Sequence, residues 1–252
     1  MEFDWVSSFS RGPFDEIHGA MSADVERAVA AVLPFFQIRD ITLALEALGP
    51  VAAGNPNALR ALRRRFDRIE VQGADAQNRI FELEIAGRLA RNGVPVRFDE
   101  PDIVAAARPF GRFALACKRP QNLLRIRERI EDGARQVGRH GRRGFVVVDL
   151  QPSIFKAEDR QRRTKFYELH GDADLRMELE CDADGRIAVV SEEVHRARAM
   201  DFVEGVVFGV MGWGIGTVSR RDTYEWAWVA RPGIPATPAE RRLCELLCPQ
   251  AL

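Results

Sequence analysis

The spacing of apolar side chains separates a helical first part of the chain from a mixed remainder. Between residues 22 and 72 apolar residues recur every three or four positions, which predicts helices. One of these helices is predicted to begin at Asn55, an N-cap residue followed by Pro56 in the first turn. Residues 1–74 are therefore predicted to form an N-terminal helical region.

From residue 75 to residue 150 helical spacing alternates with short strand patterns. A helix is predicted over residues 75–92, and Gly93 supplies a typical C-terminal stop. Three short strands follow, at residues 94–98, 102–107 and 112–118. Pro109 and Gly111 mark a turn, so the second and third strands are predicted to form an antiparallel hairpin.

An amphipathic helix is predicted next, over residues 121–137, and the glycine-rich, basic stretch 140–144 ends it. Residues 145–150 are a continuous apolar run, which is typical of a strand buried on both faces. The order helix, three strands, helix, strand predicts an α/β core over residues 75–150, in which a mixed central sheet is flanked by helices.

The last hundred residues give weaker patterns. Residues 203–211 and 223–230 are predicted to be strands, and we expect residues 151–252 to be an α/β extension that continues the sheet. A helix is predicted after Pro238. Four glycines between residues 209 and 216 match neither the dinucleotide-binding nor the P-loop spacing, so a phosphate loop is not predicted there.

Composition narrows the class of protein. The chain has 252 residues, 46% of them hydrophobic, and 37 acidic residues balance 37 basic ones. A folded protein is expected, and any nucleic-acid site has to be a local basic patch, because the net charge attracts no polyanion. No secretory signal and no apolar run of about 18 residues is present, which predicts a soluble cytoplasmic protein without membrane contact.

The cysteines and histidines show no metal-ligand spacing. Four scattered cysteines make a disulfide framework improbable in a chain of this size. Cys244 and Cys248 are expected to be small packing residues rather than half of a zinc site. The four histidines, His18, His140, His170 and His195, are expected to be structural or surface residues.

Lysine is scarce, which draws attention to Lys118. Only three of the 37 basic residues are lysine. An ammonium is compact and titratable, and a guanidinium does not replace it in such a role. Asp102 begins one strand of the predicted hairpin and Lys118 ends the other, so the two charges can converge at one end of the sheet. A surface ion pair is the simpler alternative.

Glu82 is the third candidate. Helical geometry places it on the stripe of Ala86 and Leu89, facing the sheet. Its neighbour Glu84 is expected to form an exposed pair with Arg88, four residues on. A buried or half-buried carboxylate needs a cation or hydrogen bonds, so Glu82 is predicted either to bind a metal or to pair with an arginine.

These residues, in their order, resemble the PD-(D/E)XK, or restriction-endonuclease-like, nuclease superfamily. The segments that carry the resemblance are FELEIAGRL around Glu82, PDIV at residues 101–104, ACKRP at residues 116–120, and Ala134 with Gln136. The resemblance covers residues 79–150 and implies a restriction-endonuclease-like core and a Mg²⁺- or Mn²⁺-dependent nuclease. In it, Asp102, Glu82 and the main-chain carbonyl of Cys117 bind the metal, Lys118 positions the attacking water, and Gln136 is a polar accessory residue.

Ala116 departs from that family, which has an acid two residues before the lysine. Residues 116 and 118 share a strand face, so an acid at position 116 would point at the metal. Either the acid has migrated, to Glu82 or to Glu128 or Glu131 of the next helix, or the fold persists without catalysis. Catalysis is the favoured alternative because Asp102 and Lys118 are retained.

Three hypotheses follow. The first is a metal-dependent nuclease acting on nucleic acid, with DNA as the expected substrate; the second is a catalytically inactive protein of the same fold that binds nucleic acid or acts as a scaffold; the third is an unrelated α/β interaction protein. A homodimer is plausible.

Several basic clusters could bind phosphates or could simply be balanced surface charge. They are Arg119, Arg125, Arg127 and Arg129; Arg139, His140, Arg142 and Arg143; a cluster at residues 160–165; and an arginine-rich face at residues 60–68.

Overall fold

The computed structural model describes residues 74–120, 122–150, 166–169, 174–218 and 221–248, and all of them belong to one compact unit of the chain. The helices predicted between residues 22 and 72, with the arginine-rich face at residues 60–68, lie outside the described residues. So do His18, His170 and the basic cluster at residues 160–165.

Five helices and seven strands are described. The helices are α1 (Ala74–Arg91), α2 (Leu123–Arg139), α3 (Leu175–Val189), α4 (Ser191–Arg198) and α5 (Pro238–Leu247). The strands are β1 (Val96–Phe98), β2 (Ile103–Ala107), β3 (Gly111–Lys118), β4 (Gly144–Asp149), β5 (Phe166–Leu169), β6 (Val203–Val218) and β7 (Arg221–Pro232). The predicted order of helix, three strands, helix, strand is that of α1 to β4.

The strands form one mixed sheet. β1, β2 and β3 pair antiparallel, and β3 pairs β4 in parallel. β6 pairs β4 and β5 in parallel and pairs β7 antiparallel. β7 pairs with one edge of β6 over residues 207–218. The other edge of β6 therefore pairs with both remaining neighbours: with β4 over residues 203–209 and with β5 over residues 213–216. The predicted α/β class, with a mixed open sheet flanked by helices, is confirmed.

Alternation along β3 separates two apolar layers. Phe113, Leu115 and Cys117 pack on one face with residues of α1 and α5. Ala116 faces the other way and packs with Ile126 and Ile130 of α2. Successive side chains of a strand point to opposite faces, so α1 and α2 cover opposite faces of the sheet.

The elements begin and end where local chemistry predicts. Gly93 follows α1 with a φ of 73°, the left-handed conformation that glycine adopts without strain. Asn122 caps α2 by accepting a hydrogen bond from the Arg125 N–H through its side chain. Thr237 and Glu240 form a capping box at the start of α5, and Pro238 occupies the first turn.

One predicted contact has a different environment from the one expected. Arg88 and Glu84 form the predicted ion pair, at 2.8 Å between Nη2 and Oε1, but their side chains are only 12% and 15% exposed. The guanidinium of Arg88 lies 3.9 Å from the ring centroid of Trp228 in β7. The pair is therefore covered by a distant strand, and the expectation of an exposed pair is wrong.

Candidate active site

Lys118 is the last residue of β3 and its side chain lies along α2. Its ammonium donates a hydrogen bond to Gln136 Oε1 at 2.5 Å. A Cβ built on Gly133 of α2 would lie 3.4 Å from Lys118 Cε. The lysine stem is thus packed against the helix, and its charged end is held on the α2 face of the sheet, half-buried.

Gln136 connects this lysine to the turn that precedes β2. Its Nε2 donates to the main-chain carbonyl of Pro101 at 2.8 Å, while its Oε1 accepts from Lys118. The side-chain amide of Gln136 therefore uses both its oxygen and its nitrogen. Turning the amide over would place its nitrogen against the Lys118 ammonium and its oxygen against the Pro101 carbonyl, so only one orientation makes both hydrogen bonds. Gln136 therefore links Lys118 to the Pro101–Asp102 segment.

Asp102 is fixed by the main chain of the opposite strand. Its Oδ2 accepts a hydrogen bond from the Cys117 N–H at 2.7 Å. The register of β2 and β3 pairs Ile103 with Leu115, so Asp102 lies opposite Ala116, two residues from Lys118. The structure therefore brings together three of the predicted site residues, Asp102, Lys118 and Gln136.

Ala116, although it lies opposite Asp102, packs into an apolar layer. Its side chain is fully buried in the apolar layer formed with Ile126 and Ile130. The described structure therefore fills the position of the missing acid with hydrocarbon from α2. Glu128 is exposed and pairs with Arg125, and Glu131 pairs with Arg135 and lies 3.9 Å from Arg196. Neither acid is directed at Ala116 by these contacts.

Glu82 is buried, as its helical position predicted, with 8% of its surface exposed. The helix that carries it covers the face of the sheet opposite to Lys118, and its neighbours Phe81 and Leu83 pack in the same layer as the Cys117 side chain. The metal role of Glu82, and that of the Cys117 carbonyl, stay predictions.

The donor set suits a hard cation but is sparse. Among the described residues, no group of three or more His, Cys, Asp or Glu side chains is arranged to hold a metal ion. Mg²⁺ prefers oxygen ligands and is often held by one or two carboxylates, with water and substrate phosphate completing its shell. The oxygen ligands of the Asp102 carboxylate and the Cys117 carbonyl match this chemistry. A weakly held ion is the expected consequence of so few charged ligands.

The basic clusters around the site are largely balanced by acids. The pairs are Arg119 with Asp149, Arg125 with Glu128, Arg127 with Glu193, Arg129 with Asp132, Arg142 with Asp99, and Arg143 with Glu204. These contacts favour balanced charge over a continuous phosphate-binding track, and the pair of Arg119 with Asp149 is largely buried rather than on the surface. His140 lies 3.9 Å from Glu100, and both side chains are exposed. His195 is exposed on α4.

Two further residues, Asp99 and Arg142, lie at this corner, and the sequence singled out Arg142 only as a member of a basic cluster. Asp99 lies in the β1–β2 turn and is contacted by Arg97 and Arg142 at 2.8 and 3.2 Å. Burial alone would raise the pKa of Asp99, but hydrogen bonds from Arg97, the Glu100 N–H and Arg142 together lower it below the ordinary value. The pairing of Asp99 with Arg142 joins distant segments, and neither residue has a spacing that signals it.

The cysteines behave as packing residues. Cys244 and Cys248 both lie against the apolar layer of α1 and α5. Burial raises the pKa of the Cys244 thiol, and the nearby Glu240 carboxylate adds to the effect. A thiol with a raised pKa stays protonated and is a poor nucleophile. The sequence-based expectation for this pair therefore agrees with its environment.

Comparison of the chain with protein-family models, curated proteins and solved structures found no match. Across the described part of the chain, no helix is both long enough and apolar enough to cross a membrane.

Proposed function

We propose that this protein is a metal-dependent phosphodiesterase that cleaves nucleic acid, with DNA as the expected substrate, and that α1 to β4 form a restriction-endonuclease-like core. The observation that carries the proposal is the double hydrogen bond of Gln136, which ties Lys118 to the Pro101–Asp102 segment on one face of the sheet. An acid and an amine far apart in sequence are thereby held at the same corner.

The pairing of the strands supports the same proposal. The first three strands are antiparallel, the fourth joins in parallel after a helical crossover, and the acid and the amine lie where β2 begins and β3 ends. This is the arrangement of elements that the resemblance implies. Asp102 and Lys118 lie at an end of the sheet rather than within its buried centre, and only there could a polymer reach them.

Each residue has a distinct proposed role. Bound Mg²⁺ or Mn²⁺ would supply positive charge beside the scissile phosphate and lower the pKa of a water molecule. Asp102, with the Cys117 carbonyl, would hold that ion, and Glu82 is the further acid proposed to act with them. Lys118 would stabilise the negative charge that develops on the phosphate. Gln136 would keep the ammonium of Lys118 oriented towards the Asp102 turn.

The experiment is a cleavage assay on single- and double-stranded DNA and RNA with Mg²⁺ or Mn²⁺. We expect Asp102→Asn and Lys118→Ala each to lower the rate by about 100-fold or more, because each removes a charged group from the site. Arg108→Ala is the matched control, since Arg108 is exposed in the turn at the other end of β3. The absence of cleavage by the wild-type protein, or wild-type rates in both site variants, would contradict the proposal.

A second candidate function is a catalytically inactive protein of the same fold that binds nucleic acid. The complete burial of Ala116 favours it, because the apolar layer leaves no charged ligand at that position. Calorimetric titration with Mg²⁺ separates the two functions. Heat of binding that Asp102→Asn abolishes supports the nuclease, whereas salt-dependent nucleic-acid binding without any metal heat supports the inactive protein.

A further inference from the structure

Arg142, in the segment between α2 and β4, reaches the turn that carries Asp102. Its Nη1 lies 2.8 Å from the main-chain carbonyl of Glu100 and 3.2 Å from Asp99 Oδ2. A single guanidinium nitrogen thus contacts both the backbone and a side chain of one turn. Hydrogen bonds from a charged donor are stronger than those between neutral groups.

Two successive carbonyls of that turn are held from outside it. Arg142 binds the carbonyl of Glu100, and Gln136 binds that of Pro101. Within the turn, the Asp99 N–H donates to the Asp102 carbonyl at 3.3 Å and the Glu100 N–H donates to Asp99 Oδ1 at 3.0 Å. One external contact would leave the turn able to rotate about that point. Two contacts on consecutive residues fix its direction.

We propose that Arg142 is a positioning residue, which fixes the turn at residues 99–102 and thereby sets the carboxylate of Asp102 relative to Lys118. Its catalytic consequence rests on the proposed nuclease function, but its structural consequence does not. A carboxylate displaced by about 1 Å from its working geometry costs on the order of 100-fold in rate. Supporting residues of this kind are needed wherever the reacting groups lie on a turn.

The charges around Asp99 support this role. Arg97 approaches Asp99 from β1 and Arg142 approaches from the far side, while the exposed Glu100 and His140 side chains lie nearby. Two cations therefore face one carboxylate, so the contact between Arg142 and Asp99 is a charge-assisted hydrogen bond within an ion pair.

The first test measures amide hydrogen exchange by NMR and needs no activity. In Arg142→Ala we expect the amides of Cys117 and Asp99 to exchange roughly tenfold faster, because both donate to Asp102. Arg143→Ala is the matched control, since Arg143 is 75% exposed and pairs with Glu204 instead. Arg142→Gln serves as a second variant if Arg142→Ala lowers global stability. Wild-type exchange at both amides, or equal acceleration in the control, overturns the proposal.

The second test measures kcat and KM for nucleic-acid cleavage. Arg142→Ala is expected to lower kcat roughly tenfold to 100-fold while KM changes less than threefold, and Arg142→Lys is expected to recover part of kcat. If the wild-type protein cleaves nothing, the nuclease proposal alone fails and the exchange experiment still decides the structural role. If the turn loosens but kcat is unchanged, the positioning role of Arg142 is overturned.

Discussion

At the scale of single residues, position 116 shows how the environment of a side chain decides its chemistry. An acid there is expected to point at a metal, but the side chain of Ala116 points into the apolar layer between β3 and α2. The alanine is therefore part of the packing of α2. A substitution of Ala116 is therefore expected to change the stability of the protein before it changes catalysis.

We predict that Ala116→Glu destabilises the protein by about 3 kcal/mol or more, because it buries an unpaired carboxylate among apolar side chains. Ala106→Glu is the matched control, since Ala106 is an exposed alanine of the neighbouring strand. It should change stability by about 0.5 kcal/mol or less. Urea unfolding of both variants measures the difference. A stable Ala116→Glu protein that gains cleavage would show that the layer opens to a metal.

Asp99 should contribute to stability in a pH-dependent way. Its pKa is lower in the folded protein than the ordinary value of 3.8. The contribution of a group with a lowered pKa is complete above the ordinary value and is lost as the pH falls through the folded value. The free energy of unfolding should therefore fall more steeply with acid in the wild-type protein than in Asp99→Asn. Parallel curves for the two proteins below pH 3.8 would contradict this.

Individual residues were predictable where the information was local. The inward orientation of Glu82 follows from helical spacing within α1 and is observed. The covering of the Glu84 and Arg88 pair was not predictable, because it depends on Trp228, far along the chain. The hydrogen bonds of Asp102 and Gln136 also join segments whose proximity only the folded sheet creates.

At the scale of elements, the close approach of α2 to the sheet depends on small residues. Gly133 lies directly against β4, and a Cβ built on it would lie 2.6 Å from Val146 Cγ1 and 3.4 Å from Lys118 Cε. At a solvent-exposed position within a helix, alanine makes the helix more stable than glycine does by about 1 kcal/mol. Here the added methyl group has no space.

We predict that Gly133→Ala destabilises the protein by about 1–3 kcal/mol, because α2 must move away from β4. Gly185→Ala in α3 is the matched control, since a Cβ built there meets nothing within 4 Å. That variant should stabilise the protein by about 0.5–1 kcal/mol. Thermal unfolding of both variants gives the comparison. Equal shifts of the two in the same direction would show that α2 is not tightly packed.

The elements from α1 to β4 were predictable because each carries its own signal. Gly93, the turn at Pro109 and Gly111, and the apolar run at residues 145–150 mark boundaries within a residue or two of those observed. The elements after β4 were harder. α3 buries Leu175, Leu179, Ala183 and Ile187, a narrow stripe at a spacing of four, and β5 has only four residues. The glycines of β6 also conceal a strand of 16 residues.

At the scale of the whole molecule, α5 is anchored to the sheet by a buried ion pair. Glu240 is fully buried, and its carboxylate accepts hydrogen bonds from Arg198, the Val206 N–H and the Thr237 N–H. A Cβ built on Gly205 would clash with Glu240 Cγ. Glycine at that position therefore makes room for the acid between α4, β6 and α5.

We predict that Glu240→Ala destabilises the protein by about 3–5 kcal/mol, because Arg198 and a buried N–H lose their partner. Glu245→Ala is the control, since that acid of the same helix is 63% exposed and pairs with Arg242. Its effect should be about 0.5 kcal/mol or less. Equilibrium unfolding in urea measures both, and similar small losses would mean that the pair does not anchor α5.

The long strand β6 has a consequence for biosynthesis. While the ribosome is still adding residues 151–202, the outer edge of β4 has no strand to pair with, because its partner has yet to be translated. The nascent chain then carries every residue of the candidate active site on an incomplete sheet, in which β4 is an edge strand with unpaired backbone N–H and C=O groups. A truncated polypeptide that ends at residue 150 should consequently aggregate rather than fold as a soluble, active fragment.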